Sequence, residues 1–258
     1  IPINHMKIVN IVIPIYKTNL DDFEVKSLKQ FLLVLGNYPT TLVIPEHLEV
    51  SEFLKTYQLE QCTIERFDNA YFSSVFGYNK LMLMEAFYAR FEAYKYILIY
   101  QLDAYVFRDE LLDWCSKDYD YIGAPWIATP NNGFKKLVSL FDSKKKKARS
   151  SIFYKVGNGG FSLRKVRSHI ANSKKMKSVI EQNLKRSKDD FRIMEDVFWS
   201  SIPEQDPRFL IPDYKEGLRF AFDRKPDLAF KLNNNKLPFG CHGFEKPKVK
   251  AFWEQMMS

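Results

Sequence analysis

The chain is 258 residues long, 46% hydrophobic and 27% charged, with a formal net charge of +8. That length fits one large domain or two small ones, the composition excludes a disordered, collagenous or coiled-coil chain, and no run approaches the roughly 18 to 20 apolar residues that span a bilayer. The charge is local: residues 135–188 hold 17 Lys and Arg against Asp142 and Glu181, an excess of +15 that leaves the remainder at −7, so an anionic partner is expected of one segment.

Residues 1–5, ahead of Met6, read as an expression remnant, and the fold argument starts at Met6. Residues 8–16 form an almost continuous β-branched run, the pattern of a strand buried on both faces; Pro14 interrupts it and no small-residue cleavage site follows, which speaks against a signal peptide. Asp21 and Asp22 then offer first-turn acids to a helix that places Leu28, Phe31, Leu32 and Leu35 at helical spacing before Gly36. The alternation continues with a strand at 41–44, a helix at 48–57, a strand at 63–67, a helix at 79–91 and a buried strand at 96–102, which argues for a mainly parallel sheet flanked by helices, joined by right-handed crossovers. After Asp103 come a short helix near 110–115 and a strand near 119–122, then Gly, Pro and Asn in quantity. Helices are expected near 174–184, 195–201, 214–222 and 248–256. The run Lys144, Lys145, Lys146, Lys147 within 134–149 reads as a solvated loop. No repeat or composition break marks a linker, so residues 6–258 are expected to form a single domain. Cys62, Cys115 and Cys241 are widely spaced without a CxxC pair, which fits a reducing cytoplasm.

Four places carry candidate chemistry. Asp103 ends an apolar strand, where ligands gather in open α/β sheets, although a turn or cap aspartate has the same spacing. Gly157, Gly159 and Gly160 offer positive φ and close backbone approach, and a helix is expected after them; the pattern is neither a phosphate loop nor GxGxxG. Glu195 and Asp196 open an apolar helix, which macrodipole stabilisation explains equally well. His242 lies between glycines in an aromatic setting.

Together and in this order, Gln101, Asp103 and Ala104, the stretch from Tyr121 to Trp126, the stretch from Gly157 to Arg164, Glu195 with Asp196, and His242 with Gly243 and Phe244 resemble a mainly microbial glycosyltransferase-like family of the GT-A superfamily. The resemblance implies a Rossmann-like α/β fold with a nucleotide-sugar-binding half at 6–107 and a loop-rich acceptor half at 108–258. It implies that Asp103 is the first Asp of a DxD-like motif whose second position is Tyr105, which supplies no carboxylate. It offers His242 as a metal ligand beside Asp103, for Mn²⁺ or Mg²⁺, and Lys80 or Arg164 as a cation for the diphosphate in place of a metal. It makes Asp196, beside Glu195, the candidate general base of an inverting enzyme. Gly159 and Gly160 would leave room between donor and acceptor, Tyr16 would contact the nucleotide base although it reads equally as core, and Trp126 and Phe244 would stack on sugar faces although core packing is the commoner place for such an aromatic.

The expected function is transfer of a hexose-type sugar from a nucleotide diphosphate donor to a glycan or lipid-linked glycan in polysaccharide biosynthesis. The lysine-rich segment, through Lys144, Lys145, Lys146 and Lys147, would add peripheral contact with an anionic membrane at the inner face. A sugar- or nucleotide-binding module without turnover is the alternative that Tyr105 motivates. A nucleic-acid binder ranks below both, because the lysines lack an RNA-recognition signature.

Overall fold

The computed structural model describes residues 6–129, 150–186 and 190–257, with the side chain of Pro203 left aside. Residues 1–5 and the Lys144, Lys145, Lys146, Lys147 run lie outside them. Strands β1 (Lys7–Pro14), β2 (Thr40–Pro45), β3 (Thr63–Phe67), β4 (Tyr94–Tyr100), β6 (Tyr121–Gly123) and β7 (Phe161–Lys165) form one sheet in the order β3-β2-β1-β4-β7-β6. β1, β2, β3 and β4 are mutually parallel, and β7 inserts antiparallel between β4 and β6, with Ile97 opposite Arg164 and Tyr100 opposite Phe161. Three short strands make a second sheet, β5 (Ala104–Val106), β9 (Gly240–His242) and β8 (Ala221–Phe222), with β9 in the middle.

The central strands read as unbroken apolar runs because both sheet faces are covered. Their period of two sends Tyr96, Leu98 and Tyr100 into one core with Leu28 and Phe31, and Ile97 and Ile99 into the other with Phe87, Tyr88 and Trp199. Helix α1 (Asp22–Leu35) brings Leu28, Phe31 and Leu35 to the first core and starts at a capping box in which Asp21 and Glu24 satisfy each other's backbone N–H. A third core, with Phe222, Cys241, Phe244 and Trp253, lies against the small sheet.

Helix α2 (Ser51–Tyr57) follows β2, and the helix expected over 79–91 is two: α3 (Val75–Leu81) and α4 (Glu85–Ala89). Between them the Met82 carbonyl accepts from the Tyr88 hydroxyl at 2.7 Å and the Trp199 indole N–H at 3.2 Å, so side chains take the acceptor that a continuing helix would use. The helix expected straight after the glycine stretch is delayed by β7. It begins as α6 (Val166–Lys175), following α5 (Leu111–Ser116), and continues as α7 (Lys177–Leu184). α8 (Glu195–Ser201) stands where expected. α9 (Tyr214–Phe220) stops short of 222 because Ala221 and Phe222 pair with Gly240 and Cys241. α10 (Pro226–Leu232) has no counterpart in the sequence reading, and α11 (Lys250–Met256) closes the described chain. No helix among the described residues is long and apolar enough to cross a membrane.

Candidate active site

Asp103 leaves the carboxyl end of β4, and His242 arrives on β9 directly opposite Ala104. This register brings His242 Nε2 to 3.0 Å from Asp103 Oδ1 and 3.3 Å from Gln101 Oε1. On the other side of the ring, Nδ1 lies 3.0 Å from Asn158 Nδ2 and 3.6 Å from Asp223 Oδ1. Burial works against the His242 charge, but the two carboxylates outweigh it and carry the imidazole up to about 10. Asp103 and Asp223 respond in the opposite sense: burial alone would raise them, and the His242 charge holds both below the usual carboxylate range. Lys246 Nζ lies 3.9 Å from the other Asp103 oxygen.

Beside this cluster are two cavities. One, of about 560 Å³, is lined by Tyr16, Lys17, Val75, Tyr78, Asp103 and Glu245, among others. Tyr16 is 58% exposed there. Glu245 Oε2 is buried without a hydrogen-bond partner, and burial raises its carboxyl. The other cavity, of about 320 Å³, is lined by Trp126, Phe153, Asp196, Asp223, Arg224 and Lys225, among others. Burial, with a smaller contribution from Asp223, raises the Asp196 carboxyl although its Oδ1 accepts from the Val197 N–H at 2.8 Å.

The glycine stretch departs from the sequence expectation in its reason for being glycine. The positive φ in it belongs to Asn158. A Cβ on Gly157 would overlap the Trp126 ring, one on Gly159 would overlap Glu195 Oε1, and one on Gly160 would overlap the His242 imidazole and lie 2.7 Å from Gln101 Oε1. The space that the missing side chains leave is therefore filled by protein, and the glycines allow the site residues to close on the backbone.

Arg164 and Glu195 form a buried ion pair beneath this stretch, 3.0 Å apart with side chains 0% and 4% exposed. The guanidinium also donates to the Tyr88 hydroxyl at 2.8 Å, to Ser162 Oγ at 3.0 Å and to the Gly159 carbonyl at 3.3 Å. Asn79 Oδ1 accepts from the Glu195 N–H at 2.8 Å, tying α3 to the start of α8. Arg164 is thus spent inside the protein and lines neither cavity, and the Glu195 carboxylate is its counter-ion. Lys80 is exposed over the Tyr71 ring and also lines neither cavity. Phe244 is buried, edge-on to Phe23 and Tyr105, which places it in the third core and away from any sugar. Tyr105 packs there with it, its ring also against Phe107.

The structure therefore gathers Tyr16 and Asp103 at one cavity, Trp126 and Asp196 at the other, and His242 between Asp103 and Asp223. Asp223 and Lys246 escaped the sequence reading: Asp223 follows an apolar pair without any motif, and Lys246 stands four residues after His242, a spacing that could have prompted attention.

The fold is similar to that of mouse xyloside xylosyltransferase 1 in its apo form, with a TM-score of 0.52 and 13% identity over 91% of this chain and 97% of that one. It is also similar to the apo glycosyltransferase GlyE of Streptococcus pneumoniae TIGR4, with a TM-score of 0.50 and 12% identity over 98% of this chain; this chain spans 61% of the length of GlyE. The sheet order and these likenesses make the fold that of the GT-A glycosyltransferases. No curated protein sequence matches the chain. Residues 61–242 match the family described as "Protein of unknown function (DUF5672)", and since that match takes in more than half of the sequence, the chain belongs to the DUF5672 family.

Proposed function

We propose that this chain is a glycosyltransferase that moves a hexose-type sugar from a nucleotide diphosphate donor to a glycan or glycolipid acceptor, with inversion at the anomeric carbon. The observation that carries the reading is the Asp103–His242 pair at the strand end, with a carboxylate-bearing cavity on either hand. The larger cavity receives the nucleotide: exposed Tyr16 stacks on the base, and Asp103 and Glu245 accept hydrogen bonds from hydroxyl or N–H groups of the nucleoside. Lys246 faces the diphosphate, as does His242 in its charged form when no metal is bound, the part that the sequence reading assigned to Lys80 and Arg164.

A divalent cation fits this arrangement. The carboxylate oxygen of Asp103 and the imidazole nitrogen of His242, 3.0 Å apart, would form a donor set suited to Mn²⁺, with Mg²⁺ the alternative, once His242 released the proton it holds against Asp103. Among the described residues no cluster of three or more His, Cys, Asp and Glu is arranged to hold a metal, so the ion would be carried with the diphosphate, whose oxygens complete its shell. Bound there, it would stabilise negative charge on the leaving diphosphate.

On the acceptor side, Asp196 takes the proton of the attacking hydroxyl. The acceptor oxygen bonds to the anomeric carbon as the bond to the diphosphate breaks, and that electron pair leaves with the diphosphate. A carboxyl raised by burial is a stronger base than an exposed one. Arg164 and Glu195 position this base through the start of α8, and Trp126 offers an indole wall to the acceptor sugar.

Residues 6–258 act as one transferase domain in the cytoplasm, on a glycan being assembled at the inner membrane face. Exposed Lys174, Lys177, Lys185 and Arg186 on and after α6 and α7 support contact with anionic lipid, at about 1 kcal/mol per cation near the surface. Pull-down with phosphatidylserine vesicles, compared with phosphatidylcholine, checks this contact. The transferase reading is tested by a thermal-shift screen of nucleotide diphosphate sugars with and without Mn²⁺. At least one donor should stabilise the protein and be turned over, and Asp103→Ala should lose both effects; absence of any donor binding or turnover overturns the reading.

A further inference from the structure

The charges of the Asp196 cavity do not balance as its wall first suggests. Four charged side chains line it, Asp196, Asp223, Arg224 and Lys225. Asp223 is 6% exposed and turned to His242 Nδ1 at 3.6 Å, with Arg224 Nε 3.7 Å from its second oxygen. Asp196 Oδ1 is engaged with the Val197 N–H at 2.8 Å. Neither acid pairs with Lys225. The Lys225 ammonium donates to the Ile127 carbonyl at 2.6 Å and sits 5.8 Å from the centre of the Phe153 ring. An ammonium has three donors, and among the described residues no carboxylate lies within ion-pair distance of this one. Burial lowers its pKa against a smaller opposing pull from Asp227, the mark of a charge held partly out of water and only partly compensated. Next to it, the Arg224 guanidinium is 72% exposed, with its Nε 3.7 Å from Asp223.

We propose, resting on the transferase reading above, that the acceptor carries an anionic group, a carboxylate or a phosphate, which docks on Lys225 and Arg224 in the Asp196 cavity. Trp126 and Phe153 give that ligand an apolar wall, and the anion supplies the partner that Lys225 lacks. Such charge-assisted bonds are shorter and stronger than those a neutral hydroxyl would make. They would fix which end of the acceptor sugar enters and so which hydroxyl meets Asp196. A neutral sugar would offer the partly desolvated ammonium only hydroxyl oxygens, without the opposite charge that compensates it.

The test uses the full chain with saturating nucleoside diphosphate and three probes: methyl β-D-glucuronide, glucose 6-phosphate and methyl β-D-glucoside. Dissociation constants come from calorimetry or ligand-observed NMR. At least one anionic probe should bind about tenfold or more tightly than the neutral glucoside, the scale of one hydrogen bond to a charged group. The tighter of the two anions identifies carboxylate or phosphate as the source. R224Q with K225Q should remove the preference, and K225R should keep it. Equal or tighter binding of the neutral glucoside overturns the proposal, as does a preference that survives R224Q with K225Q. Nucleoside diphosphate binding is measured separately: its absence counts against the transferase reading, whereas its presence without anion preference counts against the acceptor class alone.

Discussion

Replacing Glu195 with Ala removes the counter-ion of a guanidinium that is 0% exposed. The Tyr88, Ser162 and Gly159 oxygens that remain around Arg164 are all neutral. Breaking a buried ion pair from one side typically costs about 3 to 5 kcal/mol, because the surviving charge stays desolvated and uncompensated. With about 2 to 4 °C of Tm per kcal/mol for a protein near this size, the expected fall is roughly 6 to 20 °C. Differential scanning calorimetry reads it. Replacing both partners, as Arg164→Met with Glu195→Leu, removes the stranded charge as well as the pair and should restore at least half of the loss, because the Tyr88 hydroxyl keeps its bond to the Met82 carbonyl and Ser162 Oγ its bond to the Gly159 carbonyl. A double variant as unstable as Glu195→Ala, or a single variant within 2 °C of the parent by the same scale, would refute the view that this pair acts as a buried charge couple.

Three further outcomes are expected. In metal-free buffer, His242 should contribute stability in full below its ordinary value of 6.5 and lose it as pH rises through about 10, since the folded state binds the proton more tightly; thermal unfolding of the parent from pH 6 to 10 should therefore decline more steeply than that of His242→Asn. Gly160→Ala should displace the imidazole that its Cβ would overlap, giving a folded protein, by circular dichroism, with markedly weaker nucleotide-dependent thermal stabilisation. Asp196→Asn should lower sugar transfer by about 10²- to 10⁴-fold while leaving the donor dissociation constant within a few-fold, and transfer at parental rates would remove Asp196 from the role of base.

Strands β5, β7, β8 and β9 were not among those expected, whereas β1, β2 and β4 were legible because their burial on two faces leaves little but apolar residues to read, as in Ile11, Val12 and Ile13. The break between α3 and α4 was not, since it depends on a hydroxyl and an indole that reach Met82 from elsewhere in the chain. In the site, Asp103 announces itself by ending a buried strand, and His242 by standing between glycines. Asp223 and Lys246 matter only through what β8 and β9 bring beside them, a relation that no local pattern encodes. Arg164 shows the converse: a basic residue after a glycine stretch suggests phosphate, yet alternation along β7 places it opposite Ile97 and turns it inward to Glu195. The glycines were found for the wrong reason, because overlap with Trp126, Glu195 and His242 is invisible until those side chains are in place.

The small sheet sets an order of assembly. Its middle strand, β9, pairs with β5 across more than half of the sequence and joins it to β8, so the half-site around Asp103 leaves the ribosome long before the segment that completes it. Until β9 arrives, Asp103 and Asp223 both lack the His242 imidazolium, and Phe161 lacks the close approach of Gly240. Closing so long a loop is entropically costly and is repaid only when the strand docks. A nascent chain with its main sheet already formed would thus be inert toward donor, and competence would come in one late step.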